Sequence, residues 1–429
     1  MAIRFCIPGL STGDNDGTTE AHAWQTVQKC AEDFVAGDHI YFKTPTDGSR
    51  AESATRLNVD GGVANSNNVA VDGQLDFGPS NQSPQAVATD DDLPTIFEGY
   101  KTTPGDRGMF RVAGSHIFTC DSCFVLNWDI DTGNSNQSPL VFDGDGCLAY
   151  RCVLNSDYEL GSPTVKIADG ALIECAIYGC GNGTSEGCIS VSGRSDIINC
   201  YIELQDTTHG STVNGAAIIL NSARRTSTII GNVISDNSNN TNSVAIVIDP
   251  GSHPRGSIIA NNTIIGWNIG IHDVDGVDIS NLQEGARVFY NNLFYNCGEG
   301  YRNSNGNGYA GAYGALIGNA YGSITSSQRT AAGFSADEIT LTETPFINFA
   351  AGETLGSPDI QTSPFTYVRD KLSLNNTPGG GALVKGVVPG CEYIAGMSGG
   401  FTGGTGDASG FRSIGAIVPN PFPESSNVF

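Results

Sequence analysis

The chain has 429 residues, 39% of them apolar, which is enough to bury an extended core and excludes an intrinsically disordered protein. Its formal net charge is −24 and its 21 Lys and Arg never gather in a run, so a phosphate backbone would be repelled and nucleic acid is excluded as a partner. Fifty-six glycines against only 15% charged residues point to an all-β chain of many short strands joined by turns.

At the N-terminus, "MAIRFCIPGL" lacks the long apolar core and cleavage site of a signal peptide, and no window approaches the ~20 apolar residues of a membrane span. The expectation is a protein that inserts in no membrane. Next, Trp24, Val27, Ala31, Phe34 and Val35 recur at helical spacing, with Thr18 or Thr19 placed to cap the start and Gly37 the end. This predicts an amphipathic helix lying across the first coil, followed by "HIYFKT" (39–44) as the first full strand. Residues 1–44 are therefore read as an N-terminal cap. Residues 45–110 are looser and suggest long excursions, the usual place for binding surfaces.

From residue 150 a repeat emerges. The stretches "YRCVL", "IECAI", "INCYI", "IGNVI", "ANNTI", "YNNLF" and "IGNAY" share a third position, which forms the column Cys152, Cys175, Cys200, Asn232, Asn262, Asn292 and Asn319. Their spacings of 23, 25, 32, 30, 30 and 27 residues suit fixed strands joined by variable turns. Between them runs a second strand, as in "TVKIADG", "AIVIDPG" and "IGIHDVDG", each ending in turn residues. Such a chain coils on itself, successive coils pairing in parallel at ~4.8 Å. The predicted fold is a right-handed parallel β-helix, a solenoid over residues 45–330, closed by an irregular C-terminal capping segment over 331–429.

Strands disfavour asparagine, yet stacked coils can satisfy it, because each inward side chain can hydrogen-bond its equivalent above and below. The column is read as a ladder, its three cysteines as buried free thiols. Cys120 and Cys123 form a lone C-x-x-C without a second pair, which argues against zinc.

The stretch "STGDNDGTTEAHAWQTVQKCAEDFVAGDHIYFKT" resembles the opening of right-handed β-helix proteins of the pectate-lyase-like superfamily. The segments "GYKTTPGDRG", "IIANNTI", "TPFIN", "LSLNNTPGGGA" and "SIGAI" are also similar to segments of that group. The resemblance covers nearly the whole chain. It implies the fold directly, while the group spans polysaccharide lyases, glycoside hydrolases, bacterial surface proteins and phage virion proteins. The missing signal and the short length resemble the phage members.

Asp143, Asp145, Asp169, Asp249 and Asp275 all follow the second strand of their coil, while Arg194, Arg225, Arg255 and Arg287 precede the ladder strand. Read functionally, they form an acid-and-arginine face for a uronate polymer, where Arg255 could support elimination and calcium would be the only cofactor needed. Read structurally, they are turn residues with arginines neutralising stacked aspartates; recurrence on every coil favours this second reading. Trp267, Tyr301, Tyr309 and Tyr313 could stack on sugar rings or line an intersubunit surface. His272 and the other histidines lack metal-ligand spacing, and no other metal site is expected.

The resulting expectation is a virion-associated or extracellular structural and adhesive β-helix, able to recognise a glycan, with a homotrimer and other virion proteins as partners. The alternative is a polysaccharide lyase or glycoside hydrolase of the same fold.

Overall fold

The computed structural model describes residues 1–44, 51–52, 74–77, 94–118, 121–132, 138–156, 163–179, 187–204, 215–221, 227–237, 242–249, 257–274, 287–303, 314–324, 334–336, 338–350 and 371–381. The chain divides into two compact units, Met1–Ser195 and Asp196–Phe429. Each is described by itself.

In the first unit successive turns of chain from His39 onward visit three parallel sheets. The first sheet holds Ile3–Cys6, His39–Lys43, Thr95–Tyr100, Cys123–Leu126, Cys147–Tyr150 and Gly170–Ile173. The second holds Ala51–Glu52, Phe110–Ala113, Trp128–Asp131, Val153–Ser156 and Ala176–Gly179, and the third holds Gln74–Phe77, Ser115–Phe118, Leu140–Phe142, Val165–Ile167 and Ile189–Val191. Neighbours pair in register, Tyr150 opposite Ile173 and Val153 opposite Ala176, so equivalent side chains stack coil on coil. Alternate residues point inward. Those of this unit include Phe42, Phe97, Phe110, Phe118 and Phe142, gathered around Trp128, whose ring lies 4.7 Å from Phe42 and 5.1 Å from Phe110. Each buried aromatic contributes roughly 1.5–3 kcal/mol through lost apolar exposure.

The second unit repeats the plan. Its first sheet includes Ser227–Ile230, Ser257–Ala260, Arg287–Tyr290 and Gly314–Ile317. Its second includes Tyr201–Leu204, Val233–Asp236, Thr263–Ile265, Leu293–Tyr295 and Ala320–Gly322. Its third includes Ala216–Asn221, Val244–Asp249, Ile269–Asp273 and Glu299–Asn303. The fold is thus a parallel β-solenoid. Coiling continues past residue 331, because Phe334–Ala336 pairs with Gly314–Ile317 and Ile339–Leu341 with Ala320–Gly322. Beyond this, Phe346 and Phe349 close on Tyr295, and Asn375 braces the segment by donating to Thr344 O at 2.7 Å and Phe346 O at 3.1 Å.

What the repeat suggests is one ladder strand is in fact two. In "ANNTI" the first sheet ends at Ala260 and the second starts at Thr263, with a two-residue corner between them. Asn261 makes that corner by adopting φ 54°, a left-handed conformation that Asn and Gly reach most cheaply. The same position is held by Asn127, Arg151, Glu174 and, in the second unit, by Asn199, Gly231, Asn291 and Gly318, all with positive φ.

The second corner residue turns inward and forms the ladder. Asn232 Nδ2 donates to Asn262 Oδ1 at 2.9 Å, Asn262 Nδ2 to Asn292 Oδ1 at 3.0 Å, and Asn292 Nδ2 to Asn319 Oδ1 at 3.1 Å. Each of these oxygens also accepts the backbone N–H of the preceding asparagine, and each Nδ2 gives its other hydrogen to a carbonyl, such as Ile229 O for Asn262 at 2.9 Å. These buried amides are fully used. Toward the start of the row, Asn232 Oδ1 accepts from Cys200 N at 2.8 Å. Cys152, Cys175 and Cys200 are buried free thiols, with Cys175 Sγ 3.4 Å from both Ala149 O and Ile173 O. Cys123 is disulfide-bonded, and Cys120 lies outside the described residues.

The N-terminal helix is shorter than its apolar spacing predicts, spanning only Val27–Asp33. Upstream backbone is already committed elsewhere: Trp24 N donates to Phe5 O, Ile7 N donates to Trp24 O, and Asn15 Oδ1 takes Gln25 N at 2.7 Å. The cap is therefore Thr26, which accepts from Lys29 N at 3.0 Å, while Thr19 caps a separate short turn, Glu20–His22. Val27, Cys30 and Ala31 form the buried face. The first strand is Ile3–Cys6, ahead of the expected His39–Lys43.

Candidate functional site

Outward positions of the third sheet in the second unit line up in register as Ile219, Val247, His272 and Arg302. His272 stands on the strand Ile269–Asp273, within the stretch "IGIHDVDG" that the sequence marks as a strand. Arg302 is fixed by its own strand: Nε donates to Glu299 Oε2 at 2.7 Å and Nη2 to Glu299 Oε1 at 2.6 Å. Such bidentate pairing sets the plane of the guanidinium and raises the Arg302 pKa, chiefly through the Glu299 hydrogen bond. Burial, then the neighbouring Arg302 charge, lowers the pKa of His272, while Asp273 and Glu299 act the other way. At neutral pH the site presents an uncharged imidazole beside an oriented cation. That pair can accept a proton and anchor an oxyanion.

The acid-and-arginine residues fall in several places. In the first unit Asp143, Asp169 and Arg194 stand where the third sheet turns into the first. Their backbones are tied coil to coil, Asp143 N donating to Phe118 O at 3.0 Å, Cys147 N to Asp169 O at 3.4 Å, and Gly170 N to Arg194 O at 3.0 Å. Burial raises the Cys147 thiol to about 11, with Asp121, Asp145 and Asp169 adding to the rise, so successive turns do stack their acids. In the second unit Asp249 ends a third-sheet strand and Arg287 begins a first-sheet strand. Arg225, Arg255 and Asp275 lie outside the described residues, as do Tyr309 and Tyr313.

Two aromatic candidates take other roles. Trp267 is buried at the corner between the second and third sheets, with Nε1 donating to Ile234 O at 3.1 Å. Tyr301 points inward from its strand and rests 5.3 Å from Phe289. Neither offers a face to a sugar, because both occupy inward positions of the alternation. Among the described residues no group of three His, Cys, Asp or Glu side chains is placed to hold a metal ion.

Several polysaccharide lyases of known structure are similar to this chain. Pectate lyase Pel9A is 10% identical with a TM-score of 0.45, over 77% of this chain and 78% of its own. The PL6 family polysaccharide lyase Pedsa3628 from Pseudopedobacter saltans is 14% identical with a TM-score of 0.35, over 82% and 95%. A rhamnogalacturonan lyase is 12% identical with a TM-score of 0.35, over 68% and 82%. The fold is a parallel β-solenoid. No family model matches the chain, and no curated protein matches it in sequence.

Glu299, His272 and Arg302 escape sequence reasoning as a group because no motif unites them. The available signal is the alternation in "IGIHD" and "EGYRN", which puts His272 and Arg302 on the same outward row once the two strands are aligned.

Proposed function

We propose that this β-helix binds an acidic polysaccharide along the outer face of the third sheet in its second unit, in an extracellular adhesive or structural role. The observation that carries this reading is Arg302, held flat by Glu299 on an outward row and in register with His272. A guanidinium so fixed suits a planar carboxylate on a polymer running across the coils. Glycan arrays read by surface plasmon resonance test it: uronate-rich polymers should bind, and Arg302→Gln should weaken them at least tenfold. Equal binding by the variant would overturn the assignment.

The lowered pKa of His272 favours a second reading, elimination. There the imidazole would take the proton from the carbon beside the uronate carboxylate. The adjacent carbon–oxygen bond would break, a carbon–carbon double bond would form, and the leaving oxygen would be protonated. Growth of the ultraviolet absorbance of an unsaturated uronate, abolished by His272→Ala, would establish cleavage. Binding without any such growth would leave the adhesive role alone.

A further inference from the structure

In "CFVL" and "CLAY", two strands of the first sheet in the first unit, both phases of the alternation are apolar. Val125 and Ala149 fill the core, while Phe124, Leu126, Leu148 and Tyr150 point away from it and are half-buried. Register stacks such outward residues in two rows, Ile96, Phe124 and Leu148 in one and Leu126, Tyr150 and Ile173 in the other. The rows run on toward the N-terminus, where Phe5 stacks on Tyr41 at 5.9 Å and Ile3 is 58% exposed. Two polar residues interrupt them, His39 and Glu98, and these engage one another at 2.8 Å. The other outward faces of this unit are more polar. The second sheet opens on the Arg111–Asp129 pair at 3.1 Å, and the third carries Lys166 and Ser190.

Parallel sheets are ordinarily covered on both faces, and contiguous apolar rows left half-exposed mark a contact surface. The two edges of this one differ in charge. Strands enter the sheet past Asp121, Asp145 and Asp169, a row tied together where Asp145 N donates to Asp121 Oδ1 at 2.8 Å. They leave it at the exposed Lys101 and Arg107, and two later exits hold one charge of each sign, Arg151 and Glu174. The entry edge is therefore acidic and the exit edge begins basic.

We propose that this face joins two copies of the chain in a parallel dimer, the two-fold axis lying in the interface along the direction of coiling. A flat face can meet its own copy only through two-fold symmetry, whereas a ring of three needs two different patches, so this surface fits a dimer in place of the expected homotrimer. The charged edges choose between the two possible axes. An axis along the strands would set the aspartate row against the same row of the copy. An axis along the coils reverses the strands across the interface and sets that row against Lys101 and Arg107, at heights one or two coils apart. Six strands at ~4.8 Å span roughly 29 Å and four residues at ~3.3 Å about 13 Å across, so the apolar rows with a charged row on either side approach the ~800 Å² per partner of a stable dimer. None of the residues assigned to the third sheet takes part, and the two readings stand or fall separately.

The test is sedimentation equilibrium of the full chain over a wide range of concentration. The parent should form dimers, and Leu126→Lys with Leu148→Lys should weaken them at least tenfold. Because those residues also pack on their own neighbours, a second pair of variants sits on the exposed edges, where folding is not at stake. Arg107→Glu or Asp145→Lys alone should weaken the dimer at least tenfold, since two-fold symmetry counts each change twice. The two together should restore it, because each new charge then meets its opposite on the other copy. A monomer at every concentration, a trimer, or a dimer indifferent to the lysine pair would overturn the proposal. Failure of the combined swap to restore association would overturn the parallel arrangement and the proposal with it. A monomer that instead floats with phosphatidylcholine vesicles, and ceases to do so in the lysine variant, would assign the same face to a lipid surface and overturn the dimer.

Discussion

Asn319 Nδ2 donates to Glu338 Oε1 at 3.1 Å, so the asparagine row ends on a carboxylate supplied by the next coil. Asn319 N also lies 3.5 Å from the same oxygen. Removing that acceptor in Glu338→Ala should destabilise the unit by roughly 1 kcal/mol, at the low end for an unsatisfied donor because Glu338 is only half-buried. Glu338→Gln, which keeps the oxygen, should restore most of the loss. Urea midpoints for the two variants decide the matter; equal midpoints would show that the contact contributes nothing.

Within the row, Asn262→Leu should cost more, about 1–3 kcal/mol. The substitution strands both the backbone N–H and Nδ2 of Asn232, which share Asn262 Oδ1, and leaves Ile229 O without its donor. An unchanged unfolding midpoint would count against the ladder as a source of stability.

His116 gives the first unit an acid limit. Its ring is buried edge-on to Trp128 at 5.6 Å, and burial lowers its pKa to about 4, against the opposing backbone hydrogen bonds of Gly114 and Pro139. Since the unfolded chain takes up the proton near 6.5, stability is complete above that pH and falls as pH drops toward 4. The loss across the window is about 3 kcal/mol. Tm measured from pH 7 to 4 should fall in the parent protein and fall less in His116→Phe. The same slope in both would assign the acid limit to other groups.

Asp106 acts lower on the pH scale. Burial is the largest single effect and raises its pKa, but the four backbone donors together outweigh it and hold the carboxyl at about 2. A depressed carboxylate stabilises above its unfolded pKa near 3.9, and that stabilisation is lost as pH falls toward 2. Protection of the Thr102 and Gly108 amides, taken against their intrinsic exchange at each pH, should therefore fall below pH 4 in the parent, whereas Asp106→Asn should lack it already at pH 7. Slow exchange in that variant would mean the turn is held by something else.

Much of this was legible in the residues. The column from Cys152 to Asn319 could be read because ladder positions are buried, polar and repeated, a combination that leaves few explanations. The corner beside it was less legible: in "ANNTI" Asn261 and Asn262 look alike, but one is chosen for its backbone and the other for its side chain. The helix was overextended because Trp24 and Phe34 fit an apolar stripe whether or not their backbones are helical, and only the tertiary bonds to Ile3–Cys6 reveal that Trp24 is not. Trp267 and Tyr301 read as contact residues because aromatic type does not report which way a strand position faces. Conversely, Arg151 and Glu174 are visible in the sequence as soon as the corner column is drawn, since they break a run of Asn and Gly.

Each amide of Asn232, Asn262, Asn292 and Asn319 accepts at Oδ1 from the coil before it and gives one N–H to the coil after it, the other N–H going to a backbone carbonyl. Their dipoles therefore add head to tail, as peptide dipoles do in a helix, but through side chains threaded inside a β fold. Glu338 occupies the positive end of that row. A solenoid with hardly any helix has in this way acquired an internal axis of polarity, with a fixed negative charge stationed where the summed field favours it.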